Sequence, residues 1–379
     1  MSLLRRDSGP ILALSHGKEK AMTISGAQQR DDDKTRILFV DDEPNVLSGL
    51  RRMLHSYRCD WGMSFVPGGR EALETIERER FDVIVSDMRM PGVDGGTLLR
   101  EAKRLSPSTL RVVLSGQADR DAIIDCIEHT HQYLAKPCAP EDLKRRILQA
   151  RSAWIPLRHN SLLNEIASVS ALPLSSENFL EFTRELNENT PSLATLGSLA
   201  RRDPAFAAKV LQLVNSSFFT TGAIIYDPAE AVQILGADTL GRLQATGKTF
   251  TTLVDRLSPV SLKAINAISV ENAKVFARRR VGSDPTEVHS AYAAGLMADI
   301  GLHILAVAVP DVVECYLEHI AAHPDEKELA QVDVFGATIR EFSVYILALW
   351  GTPDPILEEI RNSREGLSTA QVAANGEGV

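Results

Sequence analysis

Phe81-Asp82-Val83-Ile84-Val85-Ser86-Asp87 is an apolar run that stops on an acid, and Met88-Arg89-Met90-Pro91-Gly92 breaks the backbone directly after it. A strand buried on both faces reads as a continuous apolar run, and Pro and Gly end it. The pattern repeats, and the repetition is the constraint. Arg36-Ile37-Leu38-Phe39-Val40 runs into Asp41-Asp42-Glu43, Leu110-Arg111-Val112-Val113-Leu114 into Ser115-Gly116, and Gln132-Tyr133-Leu134-Ala135 into Lys136-Pro137. With a short strand over residues 63–66, five strands alternate with helices predicted over 44–54, 71–80, 97–105, 118–128 and 140–153. That order specifies an α/β fold, a doubly wound five-stranded parallel sheet with its functional groups at the carboxyl ends of the strands.

The residues at those ends are Asp41, Asp42, Asp87, Ser115 and Lys136. Three clustered carboxylates repel one another, and a hard divalent cation relieves the repulsion. Mg²⁺ suits such a site because it takes a few carboxylates and keeps oxygen positions for water and phosphate. Lys136 adds a point charge for an anion, and Ser115 a hydroxyl. The set is fit for phosphoryl transfer to Asp87. Each residue also has a bland role open to it: Asp42 as a cap for the helix at Pro44, Ser115 as a turn residue, Lys136 as a solvated cation. The conjunction of all five at strand ends favours the chemical reading.

These stretches closely resemble the receiver domain of two-component response regulators, in a flavodoxin-like fold. The matching pieces are Phe39-Val40-Asp41-Asp42-Glu43-Pro44, Ser86 to Gly95 around Asp87, Leu114-Ser115-Gly116 and Leu134-Ala135-Lys136-Pro137, within residues 36–154. The resemblance implies that Asp87 accepts phosphate from a histidine kinase or phosphotransfer protein. Asp42, Asp87 and the backbone carbonyl of Arg89 would bind Mg²⁺, with Asp41 acting mainly through water. Ser115 and Lys136 would hold the phosphoryl group, and Tyr133 would be the aromatic switch. Pro137 would follow a cis peptide bond.

A chain of 379 residues holds two or three domains. Its formal charge of −9 argues against general nucleic-acid binding. Cys59, Cys126, Cys138 and Cys315 have no CxxC spacing, which fits free thiols in a reducing compartment. No apolar run approaches a membrane span, 304–309 being among the longest, and a cytoplasmic location is expected. The apolar stretch at 11–14 is too short for a secretory segment, so residues 1–35 are expected to be a disordered lead.

Residues 155–171 continue the helical pattern without a Gly/Ser tract, which fits a helical connector and leaves a looser linker open. From Leu172 the strand signals disappear. Helices are predicted over 178–188, 192–201, 204–214, 229–235, 262–280, 284–299, 332–350 and 355–361, an all-α domain. Asp203-Pro204 and Asp227-Pro228 read as caps with a first-turn proline. Leu172-Pro173, Asp203-Pro204-Ala205-Phe206, Leu213 to Phe219 and Ala231 to Gly236 look like an HDOD domain. The likeness resumes at Ala294 to Gly301 and Leu347 to Gly351, over 172–366, with a tail at 367–379. That family is an all-helical relative of the HD phosphohydrolases, usually regarded as a non-catalytic signalling module.

The departures point the same way. Ala298-Asp299 stands where an HD enzyme has His-Asp, Ile339 stands where a histidine would precede the later helix, and Asn362-Ser363-Arg364 replaces a His-His pair. His319 and His323 have chelating i,i+4 spacing, but no acid lies between them and Pro324 follows, so they read as an exposed helix end. Asp299 reads as the end of a helix before Gly301. Arg201-Arg202 and Arg278-Arg279-Arg280 are compact basic runs without interleaved aromatics. The expectation is a response regulator whose phosphorylation controls protein contacts of an inactive HDOD output, through a protein partner or a second copy. The alternatives are an HD-type phosphohydrolase or cyclic-dinucleotide phosphodiesterase, and a nucleotide- or nucleic-acid-binding helical domain.

Overall fold

The apolar runs of the first half become the strands of one parallel sheet in a computed structural model of the chain, which describes residues 34–116, 120–219, 222–247, 249–251 and 259–363. The expected lead lies outside the described residues apart from Lys34 and Thr35, and Thr35 already belongs to the first strand; the expected tail lies outside them too. The strands are β1 (Thr35–Val40), β2 (Trp61–Val66), β3 (Val83–Asp87), β4 (Leu110–Ser115) and β5 (Gln132–Ala135), in spatial order β2-β1-β3-β4-β5. Between them run α1 (Pro44–Met53), α2 (Gly69–Arg78), α3 (Gly95–Leu105) and α4 (Arg120–Asp125), and α5 (Pro140–Trp154) follows β5.

Alternation along each strand divides its side chains between two layers. Ile37, Phe39, Val83, Val85, Val112 and Leu114 meet the α1 and α5 side chains Leu47, Leu50, Leu143 and Ile147. Leu38, Val40, Ile84 and Val113 meet Ala72, Ile76, Leu98, Leu99 and Ile123 of α2, α3 and α4. The strand order reverses between β1 and β3, and the crevice at that switch point is where such sheets place a site.

Beyond α5 the chain makes a short helical turn, Ile155–Leu157, and then α6 (Leu163–Ser168). Leu157, Leu163, Ile166 and Ala167 are buried, so this connector is packed rather than loose. The remaining helices are α7 (Ser176–Leu186), α8 (Leu193–Arg202), α9 (Pro204–Val214), α10 (Pro228–Ala245), α11 (Pro259–Arg278), α12 (Pro285–Met297), α13 (Ile300–Ala308), α14 (Pro310–Ala322), α15 (Lys327–Phe335), α16 (Ile339–Leu349) and α17 (Asp354–Asn362). Asp203 and Asp227 cap α9 and α10 as expected, each accepting a backbone N–H within the first turn at 3.0 Å.

Several expectations need correction. The strand signals do not end at Leu172, because β6 (Leu172–Pro173) pairs in parallel with β7 (Phe250–Thr251) inside the mostly helical half. The helix expected over 332–350 is two, since Gly336 takes φ 72° and stops α15. Thr338 then opens α16 with a capping box closed by Glu341. The helix expected to stop at residue 235 continues to Ala245 past a break at Gly236, φ 76°. Pro285–Ala308 is long and apolar enough to cross a membrane by composition, contrary to the reading of the sequence, but 78% of its most apolar window is buried inside the fold. Its helices α12 and α13 are core elements, and α9 between them and α10 is buried at every position.

Candidate functional site

The site is assembled at the carboxyl edge of the sheet. Asp41 follows β1, Asp87 ends β3, Ser115 ends β4 and Lys136 follows β5. Carboxylate oxygens of Asp41, Asp42 and Asp87 all lie within 4.8 Å of one another. Lys136 Nζ is 2.7 Å from Asp41 Oδ2 and 2.8 Å from Asp87 Oδ1. Lys136 is held in place by its own backbone, whose N–H donates to the Ser115 carbonyl at 2.9 Å, and the Lys136–Pro137 peptide is cis. Gly95, at the start of α3, has no side chain for a steric reason. A Cβ there would lie 2.1 Å from the Asp87 carbonyl oxygen, so only glycine lets α3 approach the end of β3.

The electrostatics follow from this crowding. Asp41 is 1% exposed and accepts the Glu43 backbone N–H at 2.9 Å. Burial pushes the Asp87 carboxyl above the ordinary aspartate value; Lys136 pulls it back down, and Asp41 adds a further push upward. Partial burial works against the Lys136 ammonium, but hydrogen bonds and charge from Asp41 and Asp87 outweigh it and raise its pKa. Asp42 is exposed and does not cap α1; the cap position is Glu43, which makes no side-chain capping bond. Three carboxylates against one ammonium leave excess negative charge at an open rim, and an all-oxygen donor set of this kind fits Mg²⁺. Ser115 is fully buried at the rim, and Tyr133 is 1% exposed, its ring turned inward and its hydroxyl without a hydrogen-bond partner among the described residues.

The family profile for the HDOD domain matches residues 172–365, just over half of the chain. The chain belongs to the HDOD family. A response regulator receiver domain profile matches residues 37–148, so the HDOD domain follows a receiver. The hydrogenase transcriptional regulatory protein HoxA of Cupriavidus necator is 33% identical over 124 residues, covering 32% of this chain and 25% of that protein. The sensor kinase CckA of Brucella abortus is 35% identical over 117 residues, covering 30% and 11%. The chain spans about a quarter of the first relative's length and about a tenth of the second's. Among solved structures, the signal receiver domain of an HD domain-containing protein from Pseudomonas fluorescens is 27% identical, covers 32% of this chain and 98% of that one, and has a TM-score of 0.30.

In the HDOD domain Asp299 lies in the turn that ends α12 and is also the N-cap of α13, with no side-chain cap bond. Its Oδ2 accepts from Asn272 Nδ2 at 3.1 Å. His303, one turn on, is fully buried and its Nε2 is 2.7 Å from Asn266 Oδ1. Burial holds its pKa down to about 4, so the ring is neutral. Asn266 and Asn178 both donate to Asp203 Oδ2, at 3.2 and 2.7 Å, closing a buried polar chain from α7 to α13. Ile339 is the first residue of α16 and is buried, its carbonyl against Gly301, and Asn362 ends α17; Arg364 lies outside the described residues. Three arginines of the basic runs are paired with acids: Arg201 Nε is 2.9 Å from Asp227, Arg202 pairs with Glu181, and Arg280 is 2.7 Å from Glu359. His319 and His323 do meet an acid, Glu326 from the next turn.

Sequence reasoning missed the residues joining receiver to HDOD domain. Gln132 Nε2, at the start of β5, donates to the carbonyls of Ala348 and Leu349 at the end of α16, both at 3.1 Å. Gln149 Nε2 on α5 donates to the Thr352 carbonyl and to Asp354 Oδ1, both at 2.7 Å. Gln212 Nε2 on α9 donates to the His131 carbonyl at 2.9 Å, while its Oε1 accepts from the buried Lys209 at 3.1 Å. Lys209 Nζ also lies 4.4 Å from the centre of the Trp350 ring, a cation–π contact. Burial, then the charge of Lys103, lowers its pKa to about 7. Phe218, just beyond α9, enters the apolar cluster that holds Ile123, Cys126 and Tyr133 of the receiver. A glutamine among apolar neighbours was the only signal in the sequence, and it does not name its partner.

Proposed function

We propose that this chain is a response regulator in which phosphorylation of Asp87 controls how the HDOD domain is held against the receiver, and through that its contacts with a protein partner. The observation that carries the reading is Lys136 bridging Asp41 and Asp87 beside Asp42. An Asp87 carboxylate oxygen attacks the phosphorus of a phosphohistidine, the P–N bond breaks, and the imidazole leaves with the electron pair. Lys136 balances charge on the phosphoryl oxygens and the Ser115 hydroxyl donates to one of them. Mg²⁺, held by Asp42, Asp87 and the Arg89 carbonyl with Asp41 acting through water, would supply charge neutralisation to the same oxygens.

The HDOD half supports a binding role rather than hydrolysis. Asn272 occupies an Asp299 oxygen with an amide donor, and the nearby His303 is neutral and committed to Asn266. The readout runs through β5. Tyr133 shares its cluster with Phe218, and its neighbours Gln132 and His131 bond the HDOD domain directly, so a shift of Ser115 and Tyr133 toward the phosphoryl group loosens or re-docks that domain. The phosphodonor we infer is a cytoplasmic histidine kinase or phosphotransfer protein.

Intact-mass measurement after incubation with acetyl phosphate and Mg²⁺ tests the chemistry. Wild type should gain one phosphoryl group and Asp87→Asn none; no gain in wild type, or an undiminished gain in the variant, overturns the assignment. Hydrogen exchange with and without beryllofluoride tests the readout, with β5 and the end of α16 expected to change together.

A further inference from the structure

The end of α14 carries a ligand set of a different chemistry. His319 and His323 stack with ring centroids 4.9 Å apart and planes 27° from parallel. The chain then turns through Pro324–Glu326 and returns Glu326, whose Oε2 is 3.0 Å from His319 Nε2. One donor atom from each of His319, His323 and Glu326 falls within a 4.8 Å group. His323 Nδ1 lies 3.3 Å from the His319 carbonyl oxygen, which can only accept, so that nitrogen carries the proton and Nε2 keeps a free lone pair. A backbone carbonyl fixing an imidazole in this way is the outer-shell device that metal-binding histidines use. The group is open to solvent, since His323 and Glu326 are exposed and His319 half-buried.

We infer that His319, His323 and Glu326 bind a divalent transition metal of the zinc–nickel class, with water completing the shell. Two imidazoles and one carboxylate are the donors such ions take, whereas Mg²⁺ and Ca²⁺ prefer oxygen alone. Donors around a tetrahedral zinc stand about 3.4 Å apart, given Zn–N bonds of about 2.0–2.1 Å. His319 Nε2 and Glu326 Oε2, 3.0 Å apart, are already near that spacing, and χ rotations that exposed side chains at a helix end make freely adjust the set to the ion. The ion would clip the end of α14 to the start of α15, where Glu326 is the N-cap, and so stabilise that edge of the HDOD domain.

Calorimetric titration of the untagged, chelator-stripped full chain with Ni²⁺ and Zn²⁺, at saturating Mg²⁺ to fill the Asp87 site, tests this. We expect one site in wild type, weakened tenfold or more in His323→Gln and in Glu326→Gln, and unchanged in Cys315→Ser, which removes the exposed thiol one turn earlier on α14. Wild type and Cys315→Ser should gain melting temperature with the metal, and by more than either ligand variant, while the stripped proteins melt together. Equal binding by wild type and both ligand variants, or binding lost with Cys315→Ser, overturns the assignment.

Discussion

At the scale of single residues, Lys136 holds down the pKa of Asp87. It touches two carboxylates, and burial pushes toward protonation the one proposed to accept the phosphoryl group, Asp87. Removing the ammonium leaves burial and Asp41 acting together on Asp87, so its carboxyl protonates at a higher pH. Phosphoryl uptake needs the carboxylate. We expect Lys136→Ala to move the acid limb of the pH–rate profile upward and to slow uptake at neutral pH roughly a hundredfold, the loss typical of one electrostatic donor; acetyl phosphate kinetics across pH measure both. Asp41, Asp87, Ser115 and Lys136 were legible in sequence because each interrupts an apolar run, and a parallel sheet brings such interruptions to one edge. Asn272 and Glu326 were not. A short polar side chain leaves no periodic trace, and its partner lies in another turn or another helix.

At the scale of elements, the segment after α9 matters more than its length suggests. Phe218 is a residue of the HDOD domain whose ring completes a core of the receiver. Deleting a buried phenylalanine ring costs about 3–5 kcal/mol. We expect Phe218→Ala to lose about that much in denaturant unfolding, and to raise hydrogen exchange in β5 before the rest of the sheet. Protection in β5 that matches wild type would show that the ring does not hold the two domains together. Helix starts were read correctly where an aspartate cap precedes a first-turn proline, as at Asp203 and Asp227. The beginning of α13 was missed, because that apolar helix lacks such a start and gives periodicity nothing to contrast. The α15–α16 break was readable: Thr338-Ile339-Arg340-Glu341 has capping-box spacing and follows Gly336.

Across the whole molecule, one apolar core runs from the α1 and α5 face of the sheet into the HDOD domain, and α5 packs against α16. Lys209 is buried in that continuity, 3% exposed, and the charge of Lys103 adds to burial in working against its ammonium. Its folded pKa of about 7 lies below that of an unfolded lysine, about 10.4. Between those values the unfolded chain holds a proton the folded chain has released, so stability rises with pH there, and the cost of the buried charge is complete below about pH 7. We expect Lys209→Met to flatten the stability profile between about pH 7 and pH 10 and to gain most at the acid end, as read by denaturant midpoints at several pH values. An unchanged slope would mean that other groups set the profile.

The three glutamines at this junction share a property that reaches past stability. Gln132, Gln149 and Gln212 direct their amide N–H groups chiefly at main-chain carbonyls. Carbonyls are the same whatever residue bears them, so the grip itself does not depend on which side chains stand at Ala348, Leu349 and Thr352, which burial constrains separately. A displacement of the strand by a fraction of a hydrogen-bond length disturbs it at once. The junction works as a vernier: indifferent to the lettering of its partner, it registers position.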